Sequence, residues 1–346
     1  MKRVGILGLP QSGKSTVFEL LLAGAGAHAT GAPGREHVGV VRVPDERVDR
    51  LSRLYQPKKT THAQIQFVDT VATTAGSARM AAKGQDLFAS VRNCDALMAV
   101  VRGFDAGEPP APQRDLKLLE TEFILHDLGI VENRLAKLEK ELKVGKKQGE
   151  REHALLVRLR EALEAERPLR AERFEGEEEK LVRGFQFLTL KPLLVVVSQD
   201  DRNAGEPPDP GPAALALGLR AQVEREIAGL PPEERAAFRT ELGIGEDGLS
   251  RVIRACYRLL GLISFFTVGP DEVRAWTVRD GDRAVDAAAE IHTDLAKGFI
   301  RAEVSSCEHL LEAGSEAKAR ERGWLKLEGR DYRVQDGDCL EIRFNK

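Results

Sequence analysis

The sequence predicts an α/β chain with a largely parallel sheet, a helical insert and a small strand-rich module at the C-terminal end. Three observations predict it. Short apolar runs alternate with amphipathic ones through the first third of the chain, the pattern of strands covered on both faces by helices. A further strand-like run, 193–197, comes long after the one at 97–101, so a different kind of structure lies between them. After about Ser264 the pattern turns to short, closely spaced strands.

The elements follow in order. Val4–Leu7, Val38–Val43, Ile65–Val68 and Leu97–Val101 have the length and β-branching of buried strands, and Ser15–Leu22 and Arg79–Val91 read as helices. Leu128, Val131, Leu135, Leu138 and Leu142 then repeat at alternating spacings of three and four, VGKKQGE breaks the repeat, and Leu156, Leu159 and Leu163 resume it. Two antiparallel helices in a coiled-coil hairpin satisfy this pattern, and so do two surface helices packed on the main domain. Asn203–Pro212 is a Pro/Gly-rich loop, Pro231 and Pro232 open a helix, and Leu249–Leu260 reads as another. The tail holds strands at FFTVG and VRAWTV, a helix around Val285–Leu295, and DYRVQDGDCLEIRF, in which Asp336-Gly337-Asp338 is a turn signal. The expected division is 1–125 and 185–262 for the sheet domain, 126–184 for the insert and 263–346 for the tail module.

Composition narrows the function classes. The chain has 346 residues, enough for two or three domains, with 31% charged and 42% hydrophobic residues. Its 52 basic and 55 acidic side chains give no net-charge argument for nucleic acid or membrane, although a local basic face is compatible with that balance. Cys94, Cys256, Cys307 and Cys339 are far apart, with no CxxC pair and no histidine at metal spacing, so neither a disulfide framework nor a zinc site is expected. The apolar run after Met1-Lys2-Arg3 is too short for a signal peptide and no stretch reaches membrane-spanning length. A cytoplasmic setting is expected.

The chemistry sits at Gly8-Leu9-Pro10-Gln11-Ser12-Gly13-Lys14-Ser15, a complete GxxxxGK[ST] between the first strand and the first helix. Backbone N–H groups from Gly8, Gln11, Ser12, Gly13, Lys14, Ser15 and Thr16, in a turn shaped by Pro10, suit a set of phosphates. Lys14 would neutralise β and γ oxygens and act catalytically, and the Ser15 hydroxyl would ligate Mg²⁺. Asp69, at the end of QIQFVD, then has two readings: it caps a strand, or it supplies the carboxylate on the magnesium side.

The chain resembles the YchF/Obg-like ATPase family of P-loop NTPases. The resemblance rests on GILGLPQSGKSTVFELL, GVVRVPDERVDRL, FVDT, FLTLKP, GLSRVIRACYRLL, VRAWTV, IHTDLAKGFIRAEV and RDYRVQDGD, found in order from end to end. It implies a Rossmann-like nucleotide domain interrupted by a coiled coil, a C-terminal TGS module of β-grasp fold, Mg²⁺-dependent hydrolysis of ATP or GTP, and association with ribosomes or RNA. Several positions depart from the family. The glycine expected three residues after the strand acid is Ala72, and the next position is Thr73. Pro33 stands where a magnesium-coordinating threonine is expected, and Thr30 replaces it only if the loop runs differently. The family's NxxE base-reading positions fall on Ser198 to Asp201: Asp201 suits guanine N1 and N2, while Ser198 in place of asparagine weakens discrimination. The same SQDD also reads as a plain strand end.

Three functions compete at this stage. They are a slow NTPase of the YchF type, a nucleotide-binding scaffold without switching or hydrolysis, and a small-molecule kinase, for which the tail module has no use. Oligomeric state is not legible. His292, Lys297 and Arg301 either face RNA or are exposed beside a strand that starts at Gly298-Phe299-Ile300, and Trp276 and Trp324 read as core.

Overall fold

The structure, a computed structural model, describes residues 1–24, 37–70, 88–143, 149–200, 205–212, 214–242 and 247–345. The chain divides into two compact units, 1–41 with 66–259 and 42–65 with 260–346. The described strands are β1 (Arg3–Gly8), β2 (His37–Arg42), β3 (Lys59–Thr61), β4 (Gln64–Asp69), β5 (Ala96–Gly103), β6 (Leu193–Gln199), β7 (Ala214–Leu219), β8 (Leu262–Thr267), β9 (Glu272–Arg279), β10 (Phe299–Ser306), β11 (Lys326–Glu328) and β12 (Asp338–Phe344).

The first unit carries a six-stranded sheet in the order β2-β4-β1-β5-β6-β7. From β4 to β7 the pairings are parallel, with Ile6 opposite Asp69, Gly8 opposite Val100 and Leu193 opposite Ala214. All eight residues of β5 are buried, as expected of a central strand covered on both faces. The apolar runs at 4–7, 65–68, 97–101 and 193–197 therefore become neighbours, as their composition predicts. Between 79 and 91 only the last residues of the expected helix are described, and Ala89–Arg92 is helical. The strand β7 is not foreseen, because ALALGL has no β-branched residue; pairing with β6 along its whole length overrides weak local preference.

A 32-residue helix, Pro112–Lys143, leaves the sheet and a second, Glu150–Glu164, returns. The first serves two cores. Its early residues Leu116, Leu119 and Phe123 pack with the sheet, and from Ile124 onward Val131, Leu135 and Leu138 pack against Leu155, Leu156, Leu159 and Leu163. The 3-4 spacing thus builds a helical hairpin, further fixed by Arg134, whose Nε and Nη2 donate to the two Glu152 oxygens at 2.7 and 2.8 Å. At its root lies Asp127, fully buried. Its carboxylate accepts the Leu188 N–H at 2.9 Å and the N–H and hydroxyl of Thr189, each at 2.7 Å. This clasp fixes the point where the chain re-enters the sheet. The next residues place the Lys191 ammonium 2.7 Å from the Cys94 carbonyl.

The second unit has its own six-stranded sheet, β11-β10-β12-β8-β9-β3. β8 and β9 form an antiparallel hairpin, β12 runs parallel to β8, and helix Ala284–Ile291 covers a core of Phe265, Val278, Ala288, Phe299, Ala302 and Leu340. Residues 42–65 complete this unit from far away in sequence: β3 pairs in parallel with β9, Lys59 opposite Glu272. Arg47 donates to both Asp336 oxygens at 2.9 and 3.1 Å and lies 5.2 Å from the centre of the Phe266 ring. The strings VPDERVDRL and VQDGD therefore meet as a structural clasp. The helix expected at 285–295 is broken at His292, whose Nδ1 caps the short helix Thr293–Lys297 by accepting the Asp294 N–H. His292, Lys297 and Arg301 are not part of the core. Trp276 packs on the core, but Trp324 is only half-buried, between the His309 ring and the Arg322 guanidinium.

The Asp127 clasp carries a stability prediction. Asp127→Ala strands two buried N–H groups, each costing about 1–3 kcal/mol. Urea denaturation should show a loss of about 3 kcal/mol, against about 1 kcal/mol for Thr189→Val, which removes one hydroxyl bond.

Candidate functional site

The site begins where β1 ends. Gly8 closes the strand, and the turn through Leu9, Pro10, Gln11 and Ser12 is tied by a Ser12 N–H to Leu9 carbonyl bond of 3.2 Å. Gln11 and Gly13 then take left-handed φ values of 62° and 89°, which aim successive backbone amides to one side of the turn. Lys14 opens the helix Lys14–Gly24, and the Val17 N–H reaches the Gly13 carbonyl at 3.0 Å. The first N–H groups of that helix have no intrahelical partner and carry the positive end of its dipole.

Two glycines are required by their surroundings. A Cβ on Gly8 would stand 2.5 Å from the Ser12 hydroxyl and 2.9 Å from the Val100 carbonyl oxygen. A Cβ on Gly13 would stand 2.7 Å from the Ser198 hydroxyl and 3.4 Å from the Phe104 ring. Ser198, buried near the end of β6, therefore lies against the turn itself. Phe104, just beyond β5, is a neighbour that the sequence reading missed, since nothing in GFDAG points to it.

Lys14 is nearly buried, and its ammonium donates to Asp69 Oδ1 and to the Thr70 carbonyl. The parallel register that sets Ile6 opposite Asp69 brings the carboxylate there, and the Thr70 hydroxyl, 2.9 Å from the Ile6 carbonyl, pins the strand end to β1. Thr70 is a second residue that sequence reasoning did not single out. Pro10, Gln11 and Ser15 are exposed and Thr16 is half-buried. The Ser12 hydroxyl is buried without a hydrogen-bond partner among the described residues. Such an orphan at the base of a turn rich in amides fits a ligand that brings acceptor oxygens.

The residues expected together from sequence are thus together: Gly8 to Thr16, Asp69 and Ser198 surround one turn. Asp201, Ala72, Thr73, Thr30 and Pro33 lie outside the described residues. No group of three or more His, Cys, Asp or Glu side chains suited to a metal occurs among the described residues. Ser15 and Asp69 would offer one hydroxyl and one carboxylate, a sparse set compatible with Mg²⁺, which keeps waters and takes phosphate oxygens.

Gly13 gives a direct test of this geometry. Gly13→Ala meets both the φ of 89° and the Ser198 hydroxyl, a strain of about 1–3 kcal/mol. Triphosphate affinity by fluorescence titration should fall about tenfold or more. Adding Ser198→Gly should restore only part of it, because the backbone strain remains.

Comparison with known proteins follows the same lines. A family model, YchF-GTPase_C, described as a protein of unknown function (DUF933), matches residues 262–345. The chain is 38% identical over 361 residues to the Ribosome-binding ATPase YchF of Bacillus subtilis (strain 168), covering 99% of this chain and 98% of that one. It is 36% identical over 360 residues to the protein of the same name from Escherichia coli O157:H7, covering 99% of each. The solved structure of the Schizosaccharomyces pombe YchF GTPase superposes with a TM-score of 0.82 at 27% identity, covering 99% of this chain and 97% of that one. The parallel sheet with its phosphate-loop turn, the helical hairpin and the matched C-terminal residues are all accounted for together: the chain belongs to the YchF family.

Proposed function

We propose that this protein is a slow, Mg²⁺-dependent purine nucleoside triphosphatase that associates with ribosomes. The observation that carries the reading is the buried Lys14 ammonium, held by Asp69 and Thr70 under a turn of backbone amides. The amides from Gly8 to Thr16 would bind the phosphates, with Pro10 shaping the turn and Lys14 meeting the β and γ oxygens as charge develops there. Ser15 and Asp69 would hold Mg²⁺, which supplies charge neutralisation at those oxygens. Ser198 and Asp201 would face the base, and Asp201 favours guanine. The relatives named above are called ATPases in bacteria and a GTPase in fission yeast, so both purines belong in the test.

Ribosome association is taken from the name of the bacterial relatives, with which this chain is collinear along its length. No helix among the described residues is long and apolar enough to cross a membrane, and the cytoplasmic setting of this reading follows from the proposed ribosome association. The division into nucleotide domain, coiled-coil insert and TGS module remains the functional partition of this reading. A second reading, a scaffold that binds nucleotide without turning it over, draws on Ser198. Its short side chain packs on Gly13 where the family has asparagine.

One assay separates the two readings. Phosphate release from ATP and GTP is followed with and without ribosomes, beside nucleotide affinity by calorimetry. The enzyme reading expects multiple turnover that rises with ribosomes and falls about a hundredfold or more in Lys14→Ala. Binding without turnover above the Lys14→Ala control establishes the scaffold, and absence of binding overturns both.

A further inference from the structure

The first unit has a cavity of about 480 Å³ at the end of its sheet opposite the phosphate-loop turn. Leu190 and Pro192 line it just before β6 begins, Leu215 lies at the start of β7, and Arg258 and Leu259 close the helix Gly248–Leu259. The phosphate-loop turn meets β6 at Ser198, five residues further along the strand from Leu193, or roughly 17 Å. The two sites are separate.

Arg170 gives this cavity its chemistry. It stands in the single turn Leu169–Ala171 that follows the helical hairpin, where its N–H donates to the Thr189 carbonyl at 2.9 Å. Its side chain is almost wholly buried, and one terminal nitrogen pairs with Glu120. Its Nε is buried with no hydrogen-bond partner among the described residues. Burial pushes the Arg170 pKa down to about 10. An arginine so placed is undersatisfied: a buried guanidinium gains from each further acceptor that reaches it. Arg258, exposed at the rim, adds a second positive charge and makes no ion pair among the described residues. No acidic side chain lines the cavity. Its walls are otherwise apolar, and Leu215 is left 43% exposed on the edge strand.

We propose that this cavity binds a small organic carboxylate with an apolar body, its head group between Arg170 and Arg258 and its chain against Leu190, Pro192, Leu215 and Leu259. The volume suits a ligand of modest size. A planar carboxylate matches the fork of a guanidinium, and the apolar wall favours an alkyl or aryl chain over a sugar or a free inorganic anion. The site lies at the root of the hairpin, where Thr189 is also held by Asp127, so an occupant contacts the turn that returns the insert to the sheet.

Octanoate tests it, with octanol as the uncharged counterpart, by calorimetry on the full chain. Octanoate should bind saturably at one site, and octanol about tenfold more weakly or less, the value of a charge-assisted hydrogen bond. Arg258→Gln and Leu215→Asp change exposed side chains and keep the fold, which circular dichroism checks. Arg258→Gln should weaken octanoate about threefold or more while leaving octanol and nucleotide affinity unchanged. Leu215→Asp should abolish octanoate binding. A merely structural role for these residues would move stability and not the octanoate to octanol ratio. Absence of saturable octanoate binding, equal affinity for octanol, or octanoate affinity unchanged in both variants overturns the proposal. None of these outcomes bears on the phosphate-loop site.

Discussion

The nucleotide unit is organised around a single constraint, a nearly buried lysine side chain whose terminal nitrogen needs acceptors inside the protein. Lys14 meets this by bonding the Asp69 carboxylate and the Thr70 carbonyl. Both acceptors come from the end of β4, so they reach Lys14 only if β4 lies beside β1 in the register that pairs Ile6 with Asp69. The charge therefore ties the turn to the sheet, and loss of either acceptor would leave a desolvated cation at the centre of the site. The same arrangement explains the tolerance of Gln11 for a left-handed φ. Strain of that kind persists where the surroundings fix the backbone on both sides, here by the end of β1 and the start of the helix.

The insert and the second unit show a different use of buried charge. Asp127 and Arg47 do no chemistry visible in the structure, yet each satisfies backbone or side-chain groups that segments distant in sequence bring together. Asp127 sets where the hairpin rejoins the sheet, and Arg47 sets where the 42–65 segment meets the last strand of its unit. FLTLKP and VQDGD, motifs with no obvious ligand chemistry, are explained by these clasps. Thr189 answers Asp127, Lys191 answers the Cys94 carbonyl, and Asp336 answers Arg47.

Much of this was legible in the sequence, for identifiable reasons. The phosphate-loop turn is contiguous, so its residue types report its conformation directly, and β5, buried throughout, and β6, buried from Leu193 to Ser198, announce themselves as apolar runs. Asp69 was legible as a candidate because a strand-end acid has few uses beside such a turn. The packing of Ser198 on Gly13 was not, since it depends on how a strand far along the chain approaches the turn. Residues 42–65 read as part of the first unit, because neither β3, only three residues long, nor Arg47 carries a local signal of a partner more than two hundred positions away. The first turns of helix Pro112–Lys143 serve the sheet core and precede the heptad-like run that begins at Leu128, so that run marks the hairpin and not the start of the helix.

In the function proposed above, Asp69 serves the magnesium side of a nucleotide site as well as ending a strand. Calorimetric titration of ATP and GTP with and without Mg²⁺, on the unaltered protein and on Asp69→Asn, tests it most directly. The account predicts that Mg²⁺ strengthens triphosphate binding to the unaltered protein and that most of this gain disappears in Asp69→Asn, while metal-free binding persists. An equal gain from Mg²⁺ in both proteins would contradict it.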